Sequence, residues 1–108
     1  MKRVVTIAAL LALSPLALAK GNADSGKQKA AQVCAACHGA DGNKPSAPDQ
    51  PILAGQYYDY LLRTLRDYKS GKRNNPIMQG FAAQLSTKDM EDLAAWFSSQ
   101  KSNLHDQR

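Results

Sequence analysis

The sequence predicts an all-α domain of three to four helices joined by long loops. Three segments place apolar residues at positions i, i+3, i+4 and i+7, a spacing that keeps one face of a helix apolar. These residues are Ala30, Val33, Cys34 and Cys37; Tyr58, Leu61, Leu62 and Leu65; and Met90, Leu93, Ala94 and Phe97. The stretches 38–51 and 71–76 are rich in Gly, Pro and Asn, which is typical of loops. No strand pattern accompanies these segments.

The ends of the three helices carry sequence signals. Residues 22–25, Asn-Ala-Asp-Ser, offer N-caps for the first helix. The second helix is predicted from Gln56 to Ser70, because Gly71 is a residue type that commonly follows a helix. Residues 86–89, Ser-Thr-Lys-Asp, resemble a capping box in which Asp replaces the usual Glu.

Residues 1–19 have the pattern of a signal peptide. Lys2 and Arg3 form a basic start, residues 4–13 are almost entirely apolar, and Ala17-Leu18-Ala19 has the small-x-small form of a cleavage site. The apolar run is shorter than the roughly 20 residues of a membrane span. We therefore expect cleavage after Ala19 and export to the periplasm without a membrane span; an uncleaved amphipathic anchor is the alternative.

The remaining domain, residues 20–108, is small and mildly basic. Loss of Lys2 and Arg3 leaves 12 basic side chains against 9 acidic ones, a formal charge of +3. A domain of this size has a marginal hydrophobic core, and exported domains of this kind usually need disulfides, a metal or a cofactor. The sequence has no dense basic stripe with interleaved aromatics, so nucleic acid is not an expected partner.

The run Cys34-Ala35-Ala36-Cys37-His38 carries the chemistry of the chain. C-x-x-C-H is the attachment signature of c-type haem. The two thiols lie three residues apart on one helical face, where both can form thioethers to the same porphyrin. His38 then lies beside the covalent anchors, and its imidazole is a strong ligand for haem iron. The motif predicts one covalently attached haem c per chain.

Two other interpretations of the cysteines remain. A Cys34–Cys37 disulfide, structural or redox-active, is the general alternative for C-x-x-C, although thioredoxin-like motifs follow a strand. A zinc site needs four ligands. The chain has two Cys and two His, and His105 lies three residues from the C-terminus.

Pro51 is a candidate partner for the histidine. Proline lacks a backbone N–H but keeps its carbonyl oxygen. That oxygen can accept a hydrogen bond from the ring nitrogen of His38 that does not bind metal, which would fix the orientation of a metal-bound imidazole.

Met78 is the candidate for the sixth ligand of the iron. It lies in a segment predicted to be irregular and bounded by Pro76, where a side chain can point inward independently of helix periodicity. A thioether is a soft, neutral ligand that favours ferrous iron. Met90 instead falls at a helical core spacing, and the alternative for Met78 is a similar core-filling role.

Two further features are interpreted less specifically. Gly26 lies in the first predicted helix, where glycine costs about 1 kcal/mol against alanine, so a close approach of another element or a fraying first turn would explain it. Tyr57, Tyr58 and Tyr60 are interpreted as packing residues, with a hydroxyl contact to a haem propionate as the alternative.

With these residues, the chain from Lys20 onward resembles a class I cytochrome c. Its local sequence is similar to that of one haem domain of the cytochrome c4 type. The similar stretches are 34–42, Leu53-Ala54-Gly55-Gln56, Gly71-Lys72-Arg73, Asn75-Pro76 ahead of Met78, Leu85-Ser86 and 92–97. The resemblance implies a cytochrome c fold wrapped around one haem. Cytochromes c4 carry two such domains, whereas this sequence has a single C-x-x-C-H, so we expect a monohaem relative.

The resemblance also implies roles for individual residues. Cys34 and Cys37 match the thioether cysteines, His38 matches the proximal ligand and Met78 the distal ligand. Pro51 and Leu53 match a segment whose proline carbonyl holds the histidine and whose leucine packs on the haem. Gly26 and Trp96 match the glycine and the aromatic residue at the crossing of the first and last helices.

The expected function is electron transport between redox protein partners, an electron donor and an electron acceptor, without substrate chemistry. An enzyme or gas sensor would need an open sixth position, against which Met78 argues. A haem subunit docked permanently on a dehydrogenase or oxidase complex is the other alternative. The free protein is expected to be a monomer or to associate weakly. Five basic side chains are interpreted as part of a docking rim or as a solvated helix face: Arg63, Arg66, Lys69, Lys72 and Arg73.

Overall fold

The fold consists of short helices around a central cavity. The computed structural model describes residues 21–102, which contain five helices and no strand. The helices are α1 (Ala23–Val33), α2 (Ala35–His38), α3 (Tyr58–Ser70), α4 (Pro76–Ala82) and α5 (Thr87–Ser98). The prediction of an all-α domain is therefore confirmed, but there are five helices instead of three to four, because the first predicted helix is interrupted at Cys34 and a short helix follows Asn75. The predicted signal peptide, residues 1–19, and His105 lie outside the described residues.

The crossing of α1 and α5 forms the base of the fold. Gly26 is buried there, and a Cβ atom at this residue would lie 2.0 Å from the backbone oxygen of Asp92 and 2.9 Å from Cβ of Trp96. Only a residue without a side chain permits this approach, which explains a glycine inside α1. Asp92 also accepts a hydrogen bond from the backbone N–H of Asn22 at 2.7 Å, so the start of α1 is attached to α5.

The hydrophobic core joins these two helices to α3. Its buried members are Ala30, Leu61, Leu85, Met90, Leu93, Ala94 and Phe97. Burial of such apolar surface is the main favourable contribution to folding. The three helical patterns in the sequence therefore form one core, with α5 packed against both α1 and α3.

The helix ends agree closely with their sequence signals. Asn22 caps α1 by accepting from the N–H of Ser25 at 3.0 Å. Ser86 and Asp89 form a reciprocal capping box at the start of α5. The second helix was predicted from Gln56, but α3 begins at Tyr58, two residues later, because residues 51–57 continue the loop.

The prediction of an irregular segment around Met78 is wrong. This residue lies in α4, where the side chain of Asn75 accepts from the N–H groups of Ile77 and Met78, both at 3.1 Å. Pro76 occupies the first turn, where its missing N–H leaves no intrahelical bond unmade. The Asn-Pro pair thus starts a helix here instead of interrupting the chain.

Candidate haem site

A cavity of about 480 Å³ opens between the helices and the long loop 39–57. It brings together all six site residues predicted from the sequence. Cys34, Cys37 and His38 border it from the end of α1 and from α2, Met78 from α4, and Pro51 and Leu53 from the loop.

His38 is held in one orientation. The residue is only 6 % exposed, and its Nδ1 lies 2.9 Å from the carbonyl oxygen of Pro51. A carbonyl oxygen only accepts, so the hydrogen bond requires the proton on Nδ1 and leaves the lone pair on Nε2. This is the arrangement expected of a histidine that presents Nε2 to a metal.

The position of Pro51 depends on the turn at Gly42. The carbonyl oxygen of Gly42 accepts from the N–H of Leu53 at 2.9 Å and from that of Ala54 at 3.3 Å. The φ of Gly42 is +83°, a value that residues with a side chain rarely adopt. A Cβ at this residue would lie 2.8 Å from both Ala54 N and a ring carbon of Phe97. Gly42 therefore fixes the loop that carries the histidine's hydrogen-bond acceptor.

The two thiols lie on one helical turn. The backbone N–H groups of Cys37 and His38 donate to the carbonyl oxygen of Cys34 at 3.2 and 3.0 Å. Both cysteines are partly buried free thiols. Burial, and secondarily the neighbouring Cys37, raises the pKa of Cys34 to about 11, so this thiol is neutral at pH 7.

Met78 and Met90 have different surroundings. Met78 is partly buried and borders the cavity. Met90 is 4 % exposed and belongs to the core with Leu93 and Phe97, as its helical spacing predicted. Of these two methionines, Met78 therefore has the thioether placed to reach a group in the cavity.

The lining of the cavity fits a haem. Apolar walls are supplied by Leu61, Leu65, Ile77, Phe81, Leu85, Leu93 and Phe97, among others. Ligand cavities typically combine such walls with a few placed polar groups. Here the placed groups are two thiols for covalent attachment, an imidazole with a fixed proton and a thioether, which form the donor set of a c-type haem.

The sequence analysis did not predict that four polar side chains would meet on the same cavity. Tyr60, Thr64 and Tyr68 border it from one face of α3, and Arg73 borders it from the following loop. The sequence held a signal, because Tyr60, Thr64 and Tyr68 are spaced by four residues, which places them in successive turns of one helix face.

Within residues 21–102, no group of three or more His, Cys, Asp and Glu side chains is placed to hold a metal ion. In the same part of the chain, none of the helices is both long and apolar enough to cross a membrane.

A family model and known relatives identify the domain. The model described as "Cytochrome C oxidase, cbb3-type, subunit III" matches residues 21–97. Cytochrome c4 of Pseudomonas aeruginosa is 50% identical over 103 residues, which are 95% of this chain and 50% of that protein. The thiosulfate dehydrogenase electron acceptor of Thiomonas intermedia is 40% identical over 101 residues, which are 94% of this chain and 45% of that protein.

A solved structure supports the same assignment. The fold matches reduced recombinant cytochrome c4 from Pseudomonas stutzeri with a TM-score of 0.71 and 46% identity, over 78% of this chain and 48% of that one. The chain thus spans about half the length of these three relatives. It belongs to the cytochrome c family, with the fold of one cytochrome c domain and, in Cys34-Ala35-Ala36-Cys37-His38, the attachment motif of a haem c.

Proposed function

We propose that this chain carries single electrons between redox proteins, through a haem c attached to Cys34 and Cys37 and ligated by His38 and Met78. The observation that supports this proposal most strongly is the composition of one cavity. An imidazole with a fixed proton and a thioether border the same space as both thiols.

Each proposed ligand contributes a distinct property. Bound haem c supplies a one-electron ferric/ferrous couple. The Met78 thioether favours the ferrous state and raises the reduction potential. His38 keeps a fixed tautomer because its Nδ1 proton is donated to Pro51. The apolar walls exclude water, and this supports a change of iron charge without a large rearrangement of solvent.

The proposed ligand set also favours a carrier over an enzyme or gas sensor. With His38 and Met78 both holding the iron, no open ligand position would be left for a substrate or gas. Leu53 borders the cavity beside them and would pack against the haem.

Export to the periplasm is part of the proposal. Its support is the sequence pattern of residues 1–19, with the basic start, the apolar run and the small-x-small motif that ends at Ala19. The mature chain would then begin at Lys20.

A dehydrogenase is the proposed class of electron donor. This is supported by the similarity to a protein named as an electron acceptor of thiosulfate dehydrogenase. Three basic side chains, Arg63, Arg66 and Lys72, are exposed between the start of α3 and the loop before α4, which suits an acidic partner surface. Lys69 is less available, because its ammonium donates to the carbonyl oxygen of Leu85.

A permanent subunit of a dehydrogenase or oxidase complex remains the second candidate. The description of the matched family, which is an oxidase subunit, favours this second candidate. Transient redox encounters are small and weak, so a carrier should separate from its partner at moderate salt, whereas a permanent subunit should co-purify with it.

A redox titration of the purified holoprotein tests the electron-carrier proposal. We expect one reversible one-electron transition, full reduction by a dehydrogenase with its substrate, and reoxidation by an acceptor protein. Consumption of a small-molecule substrate by the protein alone, or the lack of a reversible couple, would contradict the proposal.

A further inference from the structure

Helix α4, which carries Met78, has little buried contact of its own. Among its side chains, Ala82 is fully buried, whereas Ile77 is 68% exposed and Phe81 41% exposed. A Cβ atom added at Gly80 would have no atom of residues 21–102 within 4 Å, so this side of the helix is open. A helix of seven residues with so few buried contacts opens readily unless its ends are held.

The two ends of α4 are held in different ways. The side chain of Asn75 caps the first turn, and this contact stays within one segment of the chain. At the other end, the N–H of Leu85 donates to the carbonyl oxygen of Ala82 at 3.0 Å. Leu85 is 3% exposed, and its side chain borders the cavity. The last turn of α4 and the cavity wall at Leu85 are therefore joined.

The carbonyl oxygen of Leu85 is bound by a side chain from another helix. The ammonium of Lys69, in the last turn of α3 and 16 residues away in the sequence, donates to this oxygen. Leu85 precedes Ser86, the N-cap of α5, so its oxygen lies outside the hydrogen bonds of that helix. Leu85 thus connects the end of α4, through its N–H, to α3, through its oxygen.

The partner of Lys69 is a backbone atom. Two other lysines pair with carboxylates, Lys29 with Asp89 and Lys88 with Asp92. A carboxylate side chain can rotate to follow an ammonium, whereas a carbonyl oxygen moves only with its backbone. A hydrogen bond from an ionised donor is also about twice as strong as a neutral one. The contact of Lys69 therefore restrains the position of the chain at Leu85.

We propose that Lys69 is a positioning residue that fastens the end of α4 to α3 and so keeps the Met78 thioether directed into the cavity. When this hydrogen bond breaks, Leu85 and the last turn of α4 are released from α3, and Met78 can move with them. Lys69 itself does not border the cavity. The inference rests on the proposed ligation by Met78 and adds the group that limits how often the thioether leaves.

The departure of Met78 can be measured with an added ligand. Imidazole can bind the iron of the oxidised holoprotein only after the thioether has left. At high imidazole concentration the observed rate therefore reaches a limit, which is the rate at which α4 opens. Loss of the Lys69 donor should raise this limit, because the hydrogen bond to Leu85 is present only while α4 is closed.

The test compares variants of Lys69 with a variant of a second lysine in the holoprotein. Lys69→Met keeps an unbranched side chain of similar length and removes the donor. Lys69→Arg keeps an ionised donor. Lys29→Met is the matched control, because it removes an ammonium that joins α1 to α5, with Nζ 3.7 Å from Asp89 Oδ1, instead of one that joins α3 to the end of α4.

The limiting rate of imidazole binding and the hydrogen exchange of backbone amides 79–85 are the two readouts. We expect Lys69→Met to raise both at least about tenfold, which corresponds to about 1.4 kcal/mol. Lys69→Arg should stay within about threefold of the wild type, because its guanidinium can donate to the same oxygen. Lys29→Met should change both by less than about twofold. The oxidised spectrum before imidazole is added should be the same in all four proteins.

Several outcomes decide the inference. An unchanged limiting rate and unchanged exchange in Lys69→Met would overturn it. Equal acceleration in Lys69→Met and Lys29→Met would show a general loss of stability and would overturn it as well. If Lys69→Met does not accumulate, Lys69→Gln decides in its place, because its polar side chain is one bond shorter.

A failure of the proposed function would be distinguishable from a failure of this inference. A wild-type protein that binds imidazole without reaching a limiting rate would refute Met78 as a ligand. Hydrogen exchange of amides 79–85 would then still decide whether Lys69 fastens α4.

Discussion

At the residue scale, the proposed proximal ligand depends on a short chain of backbone contacts. His38 donates to Pro51, and the loop that carries Pro51 is held by the carbonyl oxygen of Gly42. Trp96 attaches the same loop to α5, because its indole N–H donates to the carbonyl oxygen of Ala40 at 2.9 Å. The orientation of the His38 imidazole therefore depends on contacts that extend to Trp96 in α5.

Substitution of Gly42 tests this chain of contacts. Gly42→Ala places a Cβ at a φ of +83° and 2.8 Å from Ala54 N, so we expect a loss of about 1–3 kcal/mol in the free energy of unfolding. Urea unfolding of the holoprotein measures it. Unchanged stability would show that the loop can move without affecting the fold.

Some of these residues could be predicted from the sequence and others could not. Cys34, Cys37 and His38 are adjacent, so a local motif was sufficient, and the contact between His38 and Pro51 followed from the resemblance to cytochromes c and from the need of a metal-bound imidazole for an acceptor. The contact between Arg73 and the Tyr68 ring joins a loop to α3, and this pairing depends on how the loop folds back. Periodicity along the chain holds no information about it.

At the element scale, the crossing of α1 and α5 supports the site from behind. α5 contributes Leu93, Ala94 and Phe97 to the cavity wall, and α1 leads directly into the cysteine motif. Displacement of one helix from the other would therefore move the cysteines relative to the wall that faces them.

Two helical glycines provide a matched test of the crossing. In Gly26→Ala the new Cβ would lie 2.0 Å from the oxygen of Asp92, and we expect a loss of about 1–3 kcal/mol. Gly80 lies in α4 with no atom within 4 Å of such a Cβ, so Gly80→Ala should gain up to about 1 kcal/mol from helix propensity. Thermal and urea unfolding measure both. Equal effects of the two substitutions would contradict a tight crossing.

The elements differ in how well the sequence predicted them. The long helices have repeated apolar positions, so α1, α3 and α5 were expected. α3 begins two residues later than predicted, and α1 ends at Val33 instead of continuing through Cys37. The seven-residue α4 is too short for periodicity to show. Its one signal was the Asn75-Pro76 pair. This signal is ambiguous, because Pro at the first position of a helix and Pro in a loop look alike in a sequence.

At the scale of the whole molecule, the cavity takes the place of a larger core. The described domain surrounds about 480 Å³ of space that borders both the helices and the long loop. A domain this small has only a marginal hydrophobic core, so a bound haem would supply much of the apolar contact.

Loss of the covalent attachment should therefore prevent folding. We expect the double substitution Cys34→Ala and Cys37→Ala to yield little protein and no cooperative urea transition, because apolar cavity walls would face water. Ala36→Ser is the control, since it changes an exposed residue of the same motif and keeps both thiols. A well-packed protein without haem, with fixed near-ultraviolet circular dichroism, would show that the cofactor is less important to the fold.

The ligation of the iron is the central claim, and the spectrum of the oxidised holoprotein tests it most directly in two variants. Met90→Leu conserves volume in the core, should cost less than about 1.5 kcal/mol and should leave the spectrum unchanged. Met78→Ala should lose the weak sulfur-to-iron band, become high-spin or water-ligated and bind added cyanide faster than the wild type. Its reduction potential should also fall, because the thioether favours ferrous iron. The assignment of Met78 would be contradicted if Met90→Leu showed these changes while the spectrum of Met78→Ala stayed unchanged. Unchanged spectra in both variants would contradict it as well.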